Sequence, residues 1–410
     1  MVIFSAFRYK NYRLYFWGQA FSNLGTMIKQ VAIGWLVFRL TDSALLLGLV
    51  TFSREISAFL ISSIAGVVAD RYNKHKLLII SHSLLAANSF LLAALTLGDQ
   101  ITVGWMIGIQ ILFGCISGIE MPSRQSLVND LVEDKTYLTN AIALNSSLFN
   151  TARIAGPSIA GILIPFVGEG VCFLLYGIMS LMVVVCFRLI QYEGYVRKTY
   201  KLNFKVEFMD GFNYAYQSPP IKLILVFVAF ITMLGVSYIV ILPVFAGRVF
   251  NAGAEVFGYL TSAIGLGSVL GALLVGNKSN LEGLDKYILF GGIIFGVGVM
   301  AFAVSDVLWF SLLTLVMSGF GRVMIFTGSN TLLQTIAPDD KRGRVLSLYI
   351  MLFMGALSIG SFLIGLLTEW FGAPNVLMGG GFGVLVCTLI YAFKMDVFRE
   401  VNIRFQQEVN

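Results

Sequence analysis

The stretch "LISSIAGVVADRYNKHKLLIISHSLLA", residues 60–86, holds two apolar runs separated by the polar segment 70–76, in which Arg71, Lys74 and Lys76 crowd one tight turn. A membrane-spanning helix needs about 20 mainly apolar residues, and the two runs reach back to residue 44 and forward to residue 97. The stretch therefore reads as the end of one span, a short basic loop and the start of the next. Cutting the rest of the chain wherever charge, Gly and Pro interrupt such runs predicts twelve spans: 12–38, 44–69, 77–97, 102–122, 138–165, 170–190, 223–246, 256–276, 287–304, 308–334, 344–369 and 375–393. The opening segment 1–21 has basic residues before its apolar run and no small-residue cleavage site, so it is expected to be retained as the first span.

The totals agree with this. The 410 residues are 57% hydrophobic and 12% charged, with a mean hydropathy of +0.84. Soluble chains carry about 25% charged residues, so this chain cannot clothe a water-facing surface, which excludes a soluble enzyme. Disorder is excluded by the high hydrophobicity. Cys115, Cys172, Cys186 and Cys387 lie singly in apolar runs, and His75 and His82 flank one loop. No disulfide framework, zinc site or other cofactor is expected.

Lys and Arg accumulate at one set of span ends, among them Arg8, Lys10 and Arg13, Arg71, Lys74 and Lys76, Arg188 to Lys222, and Lys341 to Arg344. Asp42, Asp99, Glu169, Glu255, Asp306 and Glu369 mark the opposite ends. The positive-inside rule then places both termini in the cytoplasm, and the net charge of +6 follows from topology rather than nucleic-acid binding. The connection 191–222 separates two sets of six spans. Its Phe204, Phe208, Phe212 and Ala215 recur at helical spacing, which predicts a short amphipathic helix on the inner membrane surface. The organisation expected is a six-helix bundle over 1–190, a cytoplasmic linker over 191–222, a second bundle over 223–396 and a cytoplasmic tail over 397–410. "LVEDKTYLTNAIAL" with "IAGPSIAGIL" is echoed half a chain later by "IAPDDKRGRVLSL" with "SIGSFLIGLL", the duplication from which many secondary carriers are built.

These residues resemble the major facilitator superfamily. "GVVADRYNKHKLL" matches its loop signature at Gly66, Asp70, Arg71, Lys74 and Lys76, with Asn73 in place of the second glycine, a residue that tolerates a left-handed turn. Span 5 carries "RIAGPSIAGIL", whose Gly156, Pro157 and Gly161 resemble the Gly-Pro signature of the antiporter branch; the proline removes a helix hydrogen bond and the glycines permit close helix approach. "LPVFAGRVF", "GYLTSAIGLGSVLGALL" and "APDDKRGRVLSL" add similarity to the bacterial enterobactin-exporter and macrolide-efflux branch of drug:proton antiporters. Gln110, four residues before Gly114, departs from the arginine of many drug exporters. The resemblance implies two pseudo-symmetric six-helix bundles, outer supporting helices at spans 3, 6, 9 and 12, and a cytoplasmic latch of Asp70 and Arg71 against Gly343 and Arg344.

Charged residues inside spans are costly and are functional candidates by default. Lys29, Arg54, Glu55, Arg153 and Arg322 fall near mid-depth, on spans 1, 2, 5 and 10 and on none of the implied supporting helices. Polar stripes at helical spacing accompany them: Gln19, Ser22, Thr26, Lys29 and Gln30 in span 1, Gln110, Gly114, Ser117 and Arg124 in span 4, and Ser311, Thr314, Ser318 and Arg322 in span 10. Four cations against one carboxylate favour an anionic substrate. Arg153 has a second reading, as a tie for backbone carbonyls at the Gly-Pro kink. Arg54 and Glu55, about 100° apart on a helix, cannot both face one cavity, so one is expected to pair with span 1 or span 11. Glu55 is the leading candidate proton carrier, with Glu120 the alternative; Glu120 and Arg124 also read as gate charges at the inner mouth.

The function expected is secondary transport at the plasma membrane, the inner membrane of a bacterium: proton-coupled efflux of a small amphipathic or anionic compound. Its partners are substrate, protons and the bilayer, with a monomer expected. An importer or uniporter of an organic anion is the alternative, and a membrane sensor or enzyme a distant one.

Overall fold

A computed structural model describes residues 5–132, 137–192, 204–276 and 283–398, and their side chains outside 5, 63–71, 129, 139, 204–208, 275–276 and 339–340. Every regular element among them is a helix. The chain runs through α1 (Lys10–Thr41), α2 (Ala44–Arg71), α3 (Lys74–Leu97), α4 (Val103–Leu131), α5 (Leu138–Arg188), α6 (Phe204–Gln217), α7 (Pro219–Leu234), α8 (Ala254–Gly276), α9 (Leu284–Ala303), α10 (Leu308–Ile336), α11 (Asp339–Phe371) and α12 (Ala373–Phe393).

Ten helices are long and apolar enough to cross a membrane unaided. One of them, Asn140–Arg188, is 49 residues long and is broken at Gly168, whose φ of 76° and ψ of 168° no helix accommodates, so it makes two crossings. Helix α1 is 32 residues long and is more polar than those ten, with Gln19, Ser22, Asn23, Lys29 and Gln30 along it. With it the twelve crossings read from sequence are all present, and the large apolar side chains left exposed, such as Leu84, Leu91, Phe230, Phe290, Leu313 and Leu389, suit a hydrocarbon solvent.

Span 7 is not one helix. Helix α7 stops at Leu234 and the chain continues as a 3-10 segment (Val236–Ile241) and a π-helical turn (Phe245–Val249). A side chain at Gly235 would overlap Val384 and lie 2.5 Å from Phe295 Cε1, and Pro243 within the segment lacks an amide hydrogen. Asn73 also differs from expectation: its backbone is extended (φ −65°, ψ 110°), and its side chain accepts a hydrogen bond from the Lys76 amide. It starts α3 as a helix cap, and no left-handed turn is involved.

The chain divides into two compact units, one of Met1–Tyr200 with Ala246–Ser262, the other of Lys201–Phe245 with Ala263–Asn410. In the first, α1 packs on α5, α2 on α4, and α3 on both α4 and α5. In the second, α9 packs on α10 and α12, while α11 lies along α7. Helix α6 buries Ala215 and leaves Met209, Phe212 and Tyr216 exposed.

Helix α6 is pinned by charge. Asp210 accepts from Lys341 Nζ at 2.7 Å and from Arg344 at the start of α11. The hydrogen bond from Lys341, then the charges of Lys341 and Arg344, hold the Asp210 carboxyl below its ordinary value. A lowered carboxylate supports the folded contact at all pH values above the ordinary range, and the contact is lost only as pH falls through the lowered value. Asp210→Asn is therefore expected to make the linker cleavable in limited proteolysis at neutral pH, whereas the unaltered protein resists until strongly acid pH. Equal cleavage rates at neutral pH would show that the contact does not hold the helix.

Candidate functional site

In the first unit three helices bring polar side chains to one buried place. Gln19 and Asn23, one turn apart on α1, face Arg124 of α4, whose Nη1 donates to Gln19 Oε1 at 2.9 Å and to Asn23 Oδ1 at 3.4 Å. Arg124 Nε also lies 3.2 Å from Oε1 of Glu120, one turn back on the same helix. From α3, His82 places Nε2 3.7 Å from that oxygen, with its ring edge-on to Phe187 of α5. His82 is 1% exposed, Gln19 2% and Glu120 8%, so these three are little screened by water, while Arg124 is half-buried.

Lys29, further along the Gln19–Ser22–Thr26 face of α1, is also buried at 2% exposure. Its ammonium sits over the ring of Phe113 at 3.6 Å and 5.4 Å from that of Tyr176, a cation–π cradle. Among the described residues it has neither a hydrogen-bond partner nor an ion-pair partner. Arg54 and Glu55, which were expected to separate, are paired with each other: Arg54 Nε donates to Glu55 Oε1 at 2.9 Å and Nη2 reaches the same oxygen. Arginine is long enough to fold back over its neighbour, a possibility that helical spacing alone conceals. Gly114 and Gly118 bring α4 against this turn of α2; a side chain at Gly118 would meet the Ala58 carbonyl at 3.0 Å. Gln110 is buried on the same helix.

The Gly-Pro motif lies where α5 meets two helices at once. A side chain at Gly156 would collide with Met27 of α1, and one at Gly161 would come within 3.1 Å of Gly258 Cα on α8. Ser158 and Ser262 share a hydrogen bond of 2.8 Å beside it, and Ser262 donates to the Ile154 carbonyl at 3.0 Å. Arg153 stacks on Phe149, 4.7 Å from the ring centroid.

In the second unit Arg322 is half-buried and donates to Ser268 at 3.2 Å. Ser318, one turn earlier, is bonded to Tyr238 at 2.9 Å. Ser311 and Thr314 are fully enclosed, and a side chain at Gly298 of α9 would lie 2.9 Å from the Ser318 amide. Most of that stripe is thus a seam of small residues between packed helices, with Arg322 at its end.

Of the gate residues, Lys74 pairs with Asp130 at 3.0 Å, which Tyr192 also contacts at 2.8 Å. Lys76 and Gly343 are exposed. Arg344 bonds Asp210 of α6, and its expected partner Asp70 has its side chain outside the described residues. The side chains of Gly66, Asp70 and Arg71 lie outside the described residues. No group of His, Cys, Asp and Glu among the described residues is arranged to hold a metal. Sequence reading missed Asn23 and His82; the signal for Asn23 is its place one turn beyond Gln19, and that for His82 is a histidine two turns inside an apolar helix.

A family model described as transmembrane secretion effector matches residues 2–409, nearly the whole sequence. The chain belongs to that family of major facilitator transporters. This transporter is 27% identical over 406 residues to the staphyloferrin A transporter of Staphylococcus aureus, covering 94% of this chain and 95% of that one. It is 21% identical to macrolide efflux protein A of Streptococcus pyogenes, covering 97% and 100%. Its fold is that of the solved nucleoside transporter NupG, with a TM-score of 0.72 at 12% identity over 93% of this chain and 99% of that one. It is a multi-pass plasma-membrane transporter of the efflux type and not an enzyme.

Proposed function

We propose that this transporter exports a small anionic, amphipathic compound in exchange for protons. The observation that carries the reading is unbalanced charge: Lys29 in one unit and Arg322 in the other each lie within a span and pair with no described carboxylate. A cation left unpaired in a span is expensive, and an anionic cargo offsets that cost. The aromatic cradle of Phe113 and Tyr176 beside Lys29 suits a compound with an apolar body. The staphyloferrin A transporter among the relatives makes siderophores the first compounds to test. Ser22, Thr26, Arg54, Gln110 and Arg153 belong to the proposed path, and Gly66, Asp70, Arg71, Lys74, Lys76 and Gly343 to its cytoplasmic gate; Ser318 belongs to the packed seam beside Arg322.

The test is transport in inside-out vesicles with an acid lumen, comparing staphyloferrin A, a macrolide and neutral analogues. Gradient-driven accumulation that favours the anionic compounds is the expected result. Accumulation that ignores the pH gradient, or that is equal for anionic and neutral compounds, would overturn the reading.

A further inference from the structure

Around Arg124, among the described residues, Nε2 of Gln19 and both ring nitrogens of His82 are buried without a hydrogen bond, and Oε1 of Glu120 and Nε of Arg124 meet only as an ion pair at 3.2 Å. Buried polar groups are normally satisfied, and so many at one point mark a site with work beyond packing. The set contains two donors, one acceptor and an imidazole that serves as either. The His82–Glu120 separation of 3.7 Å is too long for a hydrogen bond and short enough for strong charge coupling between the two.

We propose that His82 and Glu120 together bind the coupling proton, with Arg124 as the positioning residue that holds the carboxylate. The inference rests on the proton-exchange reading above and names the site of the exchange. The proton enters on an imidazole nitrogen of His82, making an imidazolium beside the Glu120 carboxylate. Its departure to the other side of the membrane returns the neutral ring. Because Arg124 is bonded to Gln19 and Asn23, a change of charge on its partners reaches α1, the helix that carries Lys29.

The surroundings are accounted for helix by helix. From α1 come Gln19, Asn23 and Tyr15, whose hydroxyl donates to the Arg124 carbonyl at 3.4 Å. From α4 come Glu120 and Arg124, and from α5 Phe187 and Tyr176, the latter within electrostatic reach of Glu120. On α3 itself His75 is engaged with the Phe187 carbonyl at 2.6 Å. On α2 Arg54 and Glu55 are tied to each other, and among the described residues Glu120 is the carboxylate beside the His82 ring.

With two histidines in the chain, NMR of isotope-labelled histidine in the full-length protein resolves His82 once His75→Gln removes the other signal. The His82 ring signals are expected to follow pH in the unaltered protein and to follow it differently in Glu120→Gln. A ring that keeps one state throughout, or a midpoint indifferent to Glu120→Gln, overturns the pair. In inside-out vesicles, His82→Gln and Glu120→Gln are expected to lose at least about tenfold of gradient-driven staphyloferrin A accumulation, a loss equivalent to one pH unit of driving force, while gradient-free exchange of labelled for unlabelled compound persists. Loss of exchange as well would assign His82 to packing and overturn the proposal. Wild-type transport that ignores the pH gradient would sink the proton-exchange reading itself, even if the titration shows the two groups sharing a proton.

Discussion

Gly267→Leu is expected to leave almost no folded transporter after detergent extraction. Helices α8 and α10 cross backbone to backbone: a side chain at Gly267 would overlap the Val316 carbonyl, one at Gly319 would overlap the Ile264 carbonyl, and one at Gly271 would lie 2.8 Å from the Phe320 carbonyl. Backbone cannot rotate away as a side chain does, so the two helices must separate along the seam. Overpacking of this kind costs about 3 kcal/mol or more, and it also pulls Ser268 from Arg322. Gly379→Leu on α12, where an added side chain meets nothing within 4 Å, is the control expected to extract normally. Size-exclusion profiles of the two variants decide the matter; a monodisperse Gly267→Leu protein would mean the crossing is looser than described.

Lys29→Met should raise the half-saturating concentration of anionic substrates about tenfold, the loss of about 1.4 kcal/mol, and leave neutral analogues within about threefold, or about 0.65 kcal/mol. Methionine keeps an apolar stem against Phe113 and Tyr176, so the comparison isolates charge from packing. Arg322→Met should show the same asymmetry, with the Ser268 hydroxyl as its lost partner. Concentration-dependent transport in vesicles reads both. Equal loss for charged and neutral compounds would make these cations structural.

The chain's apolar runs were enough to place every span, because a bilayer imposes a length and a polarity that each helix must satisfy by itself. The same holds for the break at Gly168, which falls between the spans read at 138–165 and 170–190. These are local requirements, written in consecutive residues. Depth along a span could likewise be counted, which is why Lys29 and Arg322 were found.

Partnership could not be counted. Arg54 and Glu55 satisfy each other because of a side-chain rotamer, and Arg344 chose Asp210 on the linker helix because α6 docks on α11. His82 reads as one of a pair of loop-flanking histidines until α3 packs against α4 and sets it beside Glu120. The twelve spans and their chemistry were determined by the sequence alone, since each helix meets the membrane independently. Which charges neutralise one another was decided only by tertiary packing, since ion pairing depends on distances of a few ångströms between residues that the chain separates by dozens.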